Sequence, residues 1–136
     1  MKKLIVLIII IVAVVMLFAG CSNTLTANIV ESENADQTVV ELEENPTTGY
    51  AWTYEISDES VLKLLSDQFI DSSDKDTVGS GGIHEFVFQA LKDGKADVTF
   101  KYERSFEKDS AESVIVYKYD ISNKVPVLVN IEKEGE

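Results

Sequence analysis

After an apolar N-terminal run, the chain alternates apolar and polar residues with a period of two, in short stretches broken by turn residues. Val40 and Leu42 alternate with Glu41 and Glu43. Trp52, Tyr54 and Ile56 alternate with Thr53 and Glu55. Ala96, Val98, Phe100 and Tyr102 alternate with Asp97, Thr99 and Lys101, and Ile115, Tyr117, Tyr119 and Ile121 share one parity of a further run. Successive side chains of a strand point to opposite faces, so this pattern means strands with one face buried. No stretch of this region holds a long helical period. Strands are expected at 28–31, 38–43, 51–56, 61–65, 83–91, 96–103, 113–121 and 126–131. The 61–65 segment reads equally as a short strand or a turn of helix. Lys92-Asp93-Gly94-Lys95 reads as a tight hairpin, with Gly94 taking positive φ. Seven or eight short strands with frequent turns make an all-β antiparallel sandwich.

The first fifth of the chain is different. Met1-Lys2-Lys3 is basic, Leu4 to Gly20 is apolar and small, and the chain turns polar after Cys21. Basic, apolar and small-residue regions in that order read as a signal peptide over residues 1–20. Leu17-Phe18-Ala19-Gly20-Cys21 resembles a bacterial lipobox, with Phe18 where Leu is usual. That resemblance implies lipidation of Cys21, a short tether over 21–27 and a sandwich domain over 28–136. The expected location is extracytoplasmic, with the membrane as a partner through buried lipid methylenes. An uncleaved anchor with Lys2 and Lys3 on the cytoplasmic side is the other reading, and it places the domain on the same side.

Cys21 is the only cysteine, so the domain is held by its core and not by a disulfide. Of 12 basic residues, Lys2 and Lys3 belong to the signal, leaving 10 against 24 acidic ones. Such a surface repels nucleic acid and anionic lipid headgroups. Enzyme signatures are missing: no Gly-x-Ser-x-Gly elbow, no phosphate-cradling glycine loop, and no cysteine left for nucleophilic work. His84 has no partner at metal-ligand spacing and reads as an exposed or edge-strand histidine. Asp71, Asp74 and Asp76 miss the calcium-loop pattern, because Ser73 and Lys75 fall where carboxylates are needed. No metal, cofactor or small-molecule substrate is therefore expected.

Three segments read as loops. The first is Glu44-Asn45-Pro46-Thr47-Thr48-Gly49-Tyr50, the second runs from Asp71 to Gly82, and the third is Arg104-Ser105-Phe106-Glu107-Lys108-Asp109. Two strands separate each loop from the next, and alternating strand direction returns the chain to the same end after every second strand. All three loops are expected at one pole of the sandwich. In the first, Pro46 fixes φ and lacks an N–H, and Gly49 permits a turn that a Cβ opposes. A stiff corner of this kind loses little entropy on binding.

Asn45-Pro46-Thr47-Thr48-Gly49-Tyr50-Ala51-Trp52 resembles the signature of the chagasin family of cysteine-protease inhibitors. Gly79-Ser80-Gly81-Gly82 is similar to that family's Gly-x-Gly-Gly loop. Arg104-Ser105-Phe106 stands where the family has Arg-Pro-Trp, so Arg is kept, Pro is lost and Trp becomes Phe. The resemblance spans roughly 28–121 and leaves the tail from Val125 unexplained. It implies an immunoglobulin-like sandwich whose loops wedge, without covalent chemistry, into the cleft of a papain-like cysteine protease. By the same resemblance Thr48 lies nearest the protease's catalytic pair, with Thr47 and Gly49 beside it and Asn45 and Pro46 bracing the loop; Tyr50 belongs to the same protease-binding set. Gly79, Ser80, Gly81 and Gly82 run along the cleft, Phe106 packs on the protease's aromatic surface, and Arg104 meets acids at the cleft rim. Ser105 in place of Pro implies a freer third loop. The alternative is a membrane-anchored, immunoglobulin-like adhesion module without inhibitory activity. The two divide on whether the third loop packs beside the first.

Overall fold

The computed structural model describes residues 28–30, 32–71 and 81–134. The expected signal peptide, Cys21 with its tether, and Gly79 and Ser80 lie outside the described residues. Among those residues the alternating runs form eight strands: β1 Asn28–Val30, β2 Gln37–Glu44, β3 Ala51–Ile56, β4 Leu62–Asp71, β5 Gly82–Ala90, β6 Gly94–Glu103, β7 Ser113–Ser122 and β8 Val125–Glu134. They make two four-stranded antiparallel sheets, ordered β1-β2-β5-β4 and β3-β6-β7-β8. The architecture is an immunoglobulin-like β-sandwich.

Each sheet turns its apolar parity toward the other. Val40 of β2 pairs with Phe86 of β5, and Phe100 of β6 pairs with Ile115 of β7. The rings of Phe86 and Phe100 meet across the gap at 5.1 Å between centroids, and Tyr117 stands edge-on to Phe100 at 5.3 Å. All four of Val40, Phe86, Phe100 and Tyr117 are fully buried. Each such side chain contributes about 1.5–3 kcal/mol of burial. The hydroxyls of Tyr117 and Tyr119 are carried into this core. Burial pushes the Tyr117 pKa up strongly and that of Tyr119 up to about 12.

Two expectations change. Lys92-Asp93-Gly94-Lys95 is not a hairpin, because β5 and β6 belong to different sheets and the chain crosses between them here. Gly94 does take positive φ, 151°, and a Cβ there would lie 3.2 Å from Val61 Cγ2. The segment beginning near Val61 is a ten-residue strand, β4, and much longer than its apolar run. Two features hide it in the sequence. A bulge at Leu65 breaks the alternation, since Leu64 pairs with Phe88 and Ser66 with Val87. Beyond the bulge, Asp67 occupies the inward parity opposite Phe86. The strand expected at 126–131 is present as β8, an edge strand beside β7.

Candidate functional site at the loop end of the sandwich

The connections after β2, β4 and β6 leave the sandwich at the same pole. The first is wired from within. Asn45 is extended, with φ −125° and ψ 93°, and caps a single 3-10 turn at Pro46–Thr48. Its side-chain oxygen accepts from the Thr47 N–H at 3.2 Å and from the Thr47 hydroxyl at 2.6 Å. The Thr48 hydroxyl donates to the Asn45 carbonyl at 2.7 Å and accepts from the Tyr50 N–H at 3.3 Å. Gly49 closes the turn in the left-handed region, φ 80° and ψ 0°, and its N–H donates to the Pro46 carbonyl. Both threonine hydroxyl protons are thus spent inside the loop. What Pro46, Thr47, Thr48 and Gly49 expose is a rigid backbone corner with oxygen lone pairs and methyl groups.

The loop is also stapled across the two sheets. Trp52 lies in β3 and Glu44 ends β2, so they belong to different sheets. The Trp52 N–H donates to Glu44 Oε2 at 2.8 Å, and the indole N–H donates to the Glu43 carbonyl at 2.8 Å. The hydroxyl of Tyr102, on β6, accepts from the Asn45 N–H at 3.3 Å. Tyr102 stacks with Tyr50 at 5.4 Å and leans on Trp52 at 5.0 Å.

His84 is not the exposed or edge-strand residue expected. It lies on β5, an interior strand, and is 9 % exposed. Nδ1 sits 2.7 Å from Glu44 Oε2 and Nε2 sits 2.5 Å from Asp67 Oδ1. The ring lies flat on Phe86 at 4.2 Å. Pairing is what makes a buried imidazole tolerable. The partners lie 40 and 17 residues away in sequence, and only the register of β2, β5 and β4 assembles them. Glu44 therefore holds the base of the first loop and is itself held by His84. No group of three or more His, Cys, Asp and Glu among the described residues could take a metal ion.

Gly81 brings the second connection against the first. A Cβ on Gly81 would lie 2.6 Å from the Glu44 carbonyl oxygen and 3.4 Å from Asn45 Cβ, so the two backbones touch only because the residue is glycine. Gly82, which begins β5, is similarly crowded by the Ile70 carbonyl and the Phe69 ring.

The third connection covers the other flank. The Phe106 ring edge stands 3.7 Å from where a Cβ on Gly49 would be, and Phe106 is 78 % exposed. The Arg104 guanidinium lies 4.5 Å from the centre of the Tyr50 ring and pairs with Glu107 at 3.2 Å. Its charge is thus already engaged within the chain. The backbone of Arg104, next to Ser105, is tied within the loop. The Ser110 hydroxyl accepts from the Arg104 N–H at 2.9 Å and donates to the Arg104 carbonyl at 3.1 Å, and the Glu107 N–H donates to the same carbonyl at 3.1 Å. Glu112, at the end of the connection, hydrogen-bonds Tyr50 and raises its pKa above the ordinary tyrosine value, with Arg104 opposing the shift.

The pole therefore gathers Asn45, Pro46, Thr47, Thr48, Gly49, Tyr50, Gly81, Gly82, Arg104 and Phe106 from the predicted set. Sequence reasoning missed Glu44, His84, Asp67 and Tyr102, which hold the corner from beneath. Of these, Tyr102 was visible as part of an alternating run, and nothing in the sequence marked the other three as a unit.

The described pole thus presents a stiff, solvent-exposed corner, with Gly81 packed against its base and the connection after β6 against its other flank. The profile described as chagasin family peptidase inhibitor I42 matches residues 32–121. The chain belongs to the chagasin family of peptidase inhibitors. Members of this family are inhibitors and not enzymes, in line with the missing catalytic signatures. Among solved structures, the cysteine protease inhibitor EhICP2 from Entamoeba histolytica is similar to this chain. The match has a TM-score of 0.54 and 25% identity, and covers 63% of this chain and 77% of that one. A search of curated protein sequences finds no match.

Proposed function

We propose that this protein is a reversible, non-covalent inhibitor of papain-like cysteine proteases, and that the loop pole is the wedge that enters the protease cleft. Family membership and the likeness to a cysteine protease inhibitor support the activity. The observation that carries the wedge is the packing of the third loop beside the first, with Phe106 against Gly49 and Arg104 over Tyr50. That packing favours inhibition over an adhesion module that has lost its activity. The Thr47 and Thr48 hydroxyls donate inside the loop, and binding is by shape and hydrogen bonding. Thr47-Thr48-Gly49 meets the catalytic centre, and Phe106 supplies apolar area to one side. Gly79, Ser80, Gly81 and Gly82 extend along the cleft on the other side, offering backbone groups as an extended peptide does.

The lipobox-like segment ending at Cys21 supports a second element of the proposal. The inhibitor domain stands outside the cytoplasm on a lipid anchor at Cys21, where it meets proteases at a membrane surface. The inhibitory reading is tested by assaying the chain against a panel of cysteine and serine proteases. Competitive, reversible inhibition restricted to papain-like enzymes is expected. Inhibition of none of them removes the proposal. Mass spectrometry of the membrane fraction tests the anchor, by the presence or absence of lipid on Cys21.

A further inference from the structure

The roots of two connections meet at His84. Glu44 ends β2 where the first loop begins, Asp67 lies near the end of β4 where the second connection leaves, and His84 follows Gly82 where that connection returns as β5. Nδ1 is 2.7 Å from Glu44 Oε2, and Nε2 is 2.5 Å from Asp67 Oδ1. A carboxylate only accepts hydrogen bonds, and a neutral imidazole has a single N–H to give. Two short contacts to two carboxylates therefore need two protons. With only one, a ring lone pair would face a carboxylate oxygen in a buried place. The other neighbours of the ring do not change that count. Phe86 covers one of its faces, and Glu85, next in β5, lies on the outward parity. The facing sheet contributes the Trp52 N–H, which donates to the same Glu44 oxygen. Among the described residues no lysine or arginine forms an ion pair with Glu44 or Asp67. The ring itself is the group that can answer both carboxylates.

We infer that His84 is a positioning residue of the wedge, held with a proton on each ring nitrogen so that it ties the root of the second connection to the root of the first. The inference rests on the wedge reading, because what the tie positions is the pair of loops that enters the cleft. The two ends of the tie are unequal. Glu44 is buried and keeps the Trp52 N–H, whereas the Asp67 side chain is 44 % exposed on an edge strand. When rising pH takes one proton from the row, the proton that remains stays on Nδ1, facing Glu44. Asp67 then turns to water. The first loop keeps its staple, and the second connection loses a fixed link to it. The wedge is therefore tightest on the acid side and slackens as pH climbs.

His84 is the sole histidine, so nitrogen-15 NMR of the full chain reads its ring without interference. At the acid end, both ring N–H groups should give slowly exchanging signals, as buried hydrogen bonds do. As pH rises, the Nε2 proton should be lost first and the Nδ1 proton kept, because Glu44 sets the tautomer. Asp67→Asn is the comparison. Its amide can donate to Nε2 or, turned over, accept from it, so both contacts survive whichever state the ring takes. Thermal unfolding checks that this variant keeps the fold. Inhibition constants of the two chains are then compared against one papain-like protease, across the pH range in which that enzyme stays active. Their ratio cancels the enzyme's own pH dependence. From the acid to the alkaline end the unaltered chain should weaken about fivefold relative to Asp67→Asn, as one hydrogen bond of the row is lost. A ring that never shows both protected protons, one that keeps Nε2–H instead of Nδ1–H, or a ratio that does not move overturns the inference while the wedge reading stands. Failure of the unaltered chain to inhibit at any pH refutes the wedge reading, and the positioning role of His84 with it.

Discussion

Replacing Glu44 with Ala removes one carboxylate that meets two buried nitrogens. Its Oε2 accepts from the Trp52 N–H at 2.8 Å and faces His84 Nδ1 at 2.7 Å, and Glu44 is only 6 % exposed. Each buried polar group left without a partner costs about 1–3 kcal/mol, and both the Trp52 N–H and His84 Nδ1 lose theirs. Asp67 still holds the other ring nitrogen of His84, at 2.5 Å, which keeps the loss at the lower end of the combined range. The expected destabilisation is about 3–4 kcal/mol, a large part of the roughly 5–15 kcal/mol that a domain possesses. With a urea m-value of about 1–3 kcal/mol/M, the unfolding midpoint should fall by more than about 1 M. Glu44→Gln gives the contrast. The amide can still meet both nitrogens, so that variant should lose less than about 2 kcal/mol. Inhibition should follow the same order, because the Glu44 staple closes the first loop between the sheets. Measured urea midpoints for Glu44→Ala and Glu44→Gln that both coincide with the unaltered chain would refute this reasoning. The Glu44–His84–Asp67 row would then be incidental to stability.

At Gly49 the obstacle to substitution is the backbone. A Cβ there has room, with its nearest neighbour, Phe106 Cζ, at 3.7 Å, but φ is +80°. Gly49→Val should therefore cost roughly 1–3 kcal/mol through strain and weaken inhibition by at least about tenfold, whereas Gly49→Asn should be milder; equal inhibition constants for all three chains would show that the corner is not used. Phe106 is 78 % exposed, so Phe106→Ala should leave thermal unfolding nearly unchanged while weakening inhibition, and Phe106→Trp should strengthen it. About 40 Å² of extra apolar surface at about 25 cal/mol/Å² corresponds to roughly fivefold, and an unaltered constant for both variants would place the third loop outside the contact. Tyr119 is held neutral by burial, its pKa raised from 10.0 to about 12. A raised native pKa means that the stabilisation is complete below the unfolded value and is lost as pH climbs through the native one. Stability should therefore hold up to about pH 10 and fall between about pH 10 and 12, with tyrosinate absorbance of Tyr117 and Tyr119 appearing only as the chain unfolds.

Period-two alternation was enough to set most of the strands, because burial on one face imposes it residue by residue. Val40, Phe86, Phe100 and Tyr117 were each on the inward parity their strands required. The β4 strand escaped for the same physical reason: an inward Asp67 and a bulge at Leu65 break the only signal a single strand carries. The supposed hairpin at Gly94 failed differently. A three-residue connection looks alike in sequence whether it returns to the same sheet or crosses to the facing one, and the choice rests on the packing of whole sheets.

The sequence by itself determined the corner. Asn45, Pro46, Thr47, Thr48 and Gly49 are consecutive, and their turn is closed by hydrogen bonds that span no more than three residues. Local chemistry of that kind survives translation from sequence to shape. Tertiary structure alone decided what stands beneath and beside the corner. Glu44, Asp67 and His84 come from three strands and meet only when β2, β5 and β4 take their register. Phe106 reaches Gly49, and Arg104 reaches Tyr50, only because β3 and β6 lie side by side. Those contacts join residues tens of positions apart, and each depends on the closing of a sheet that no local pattern encodes.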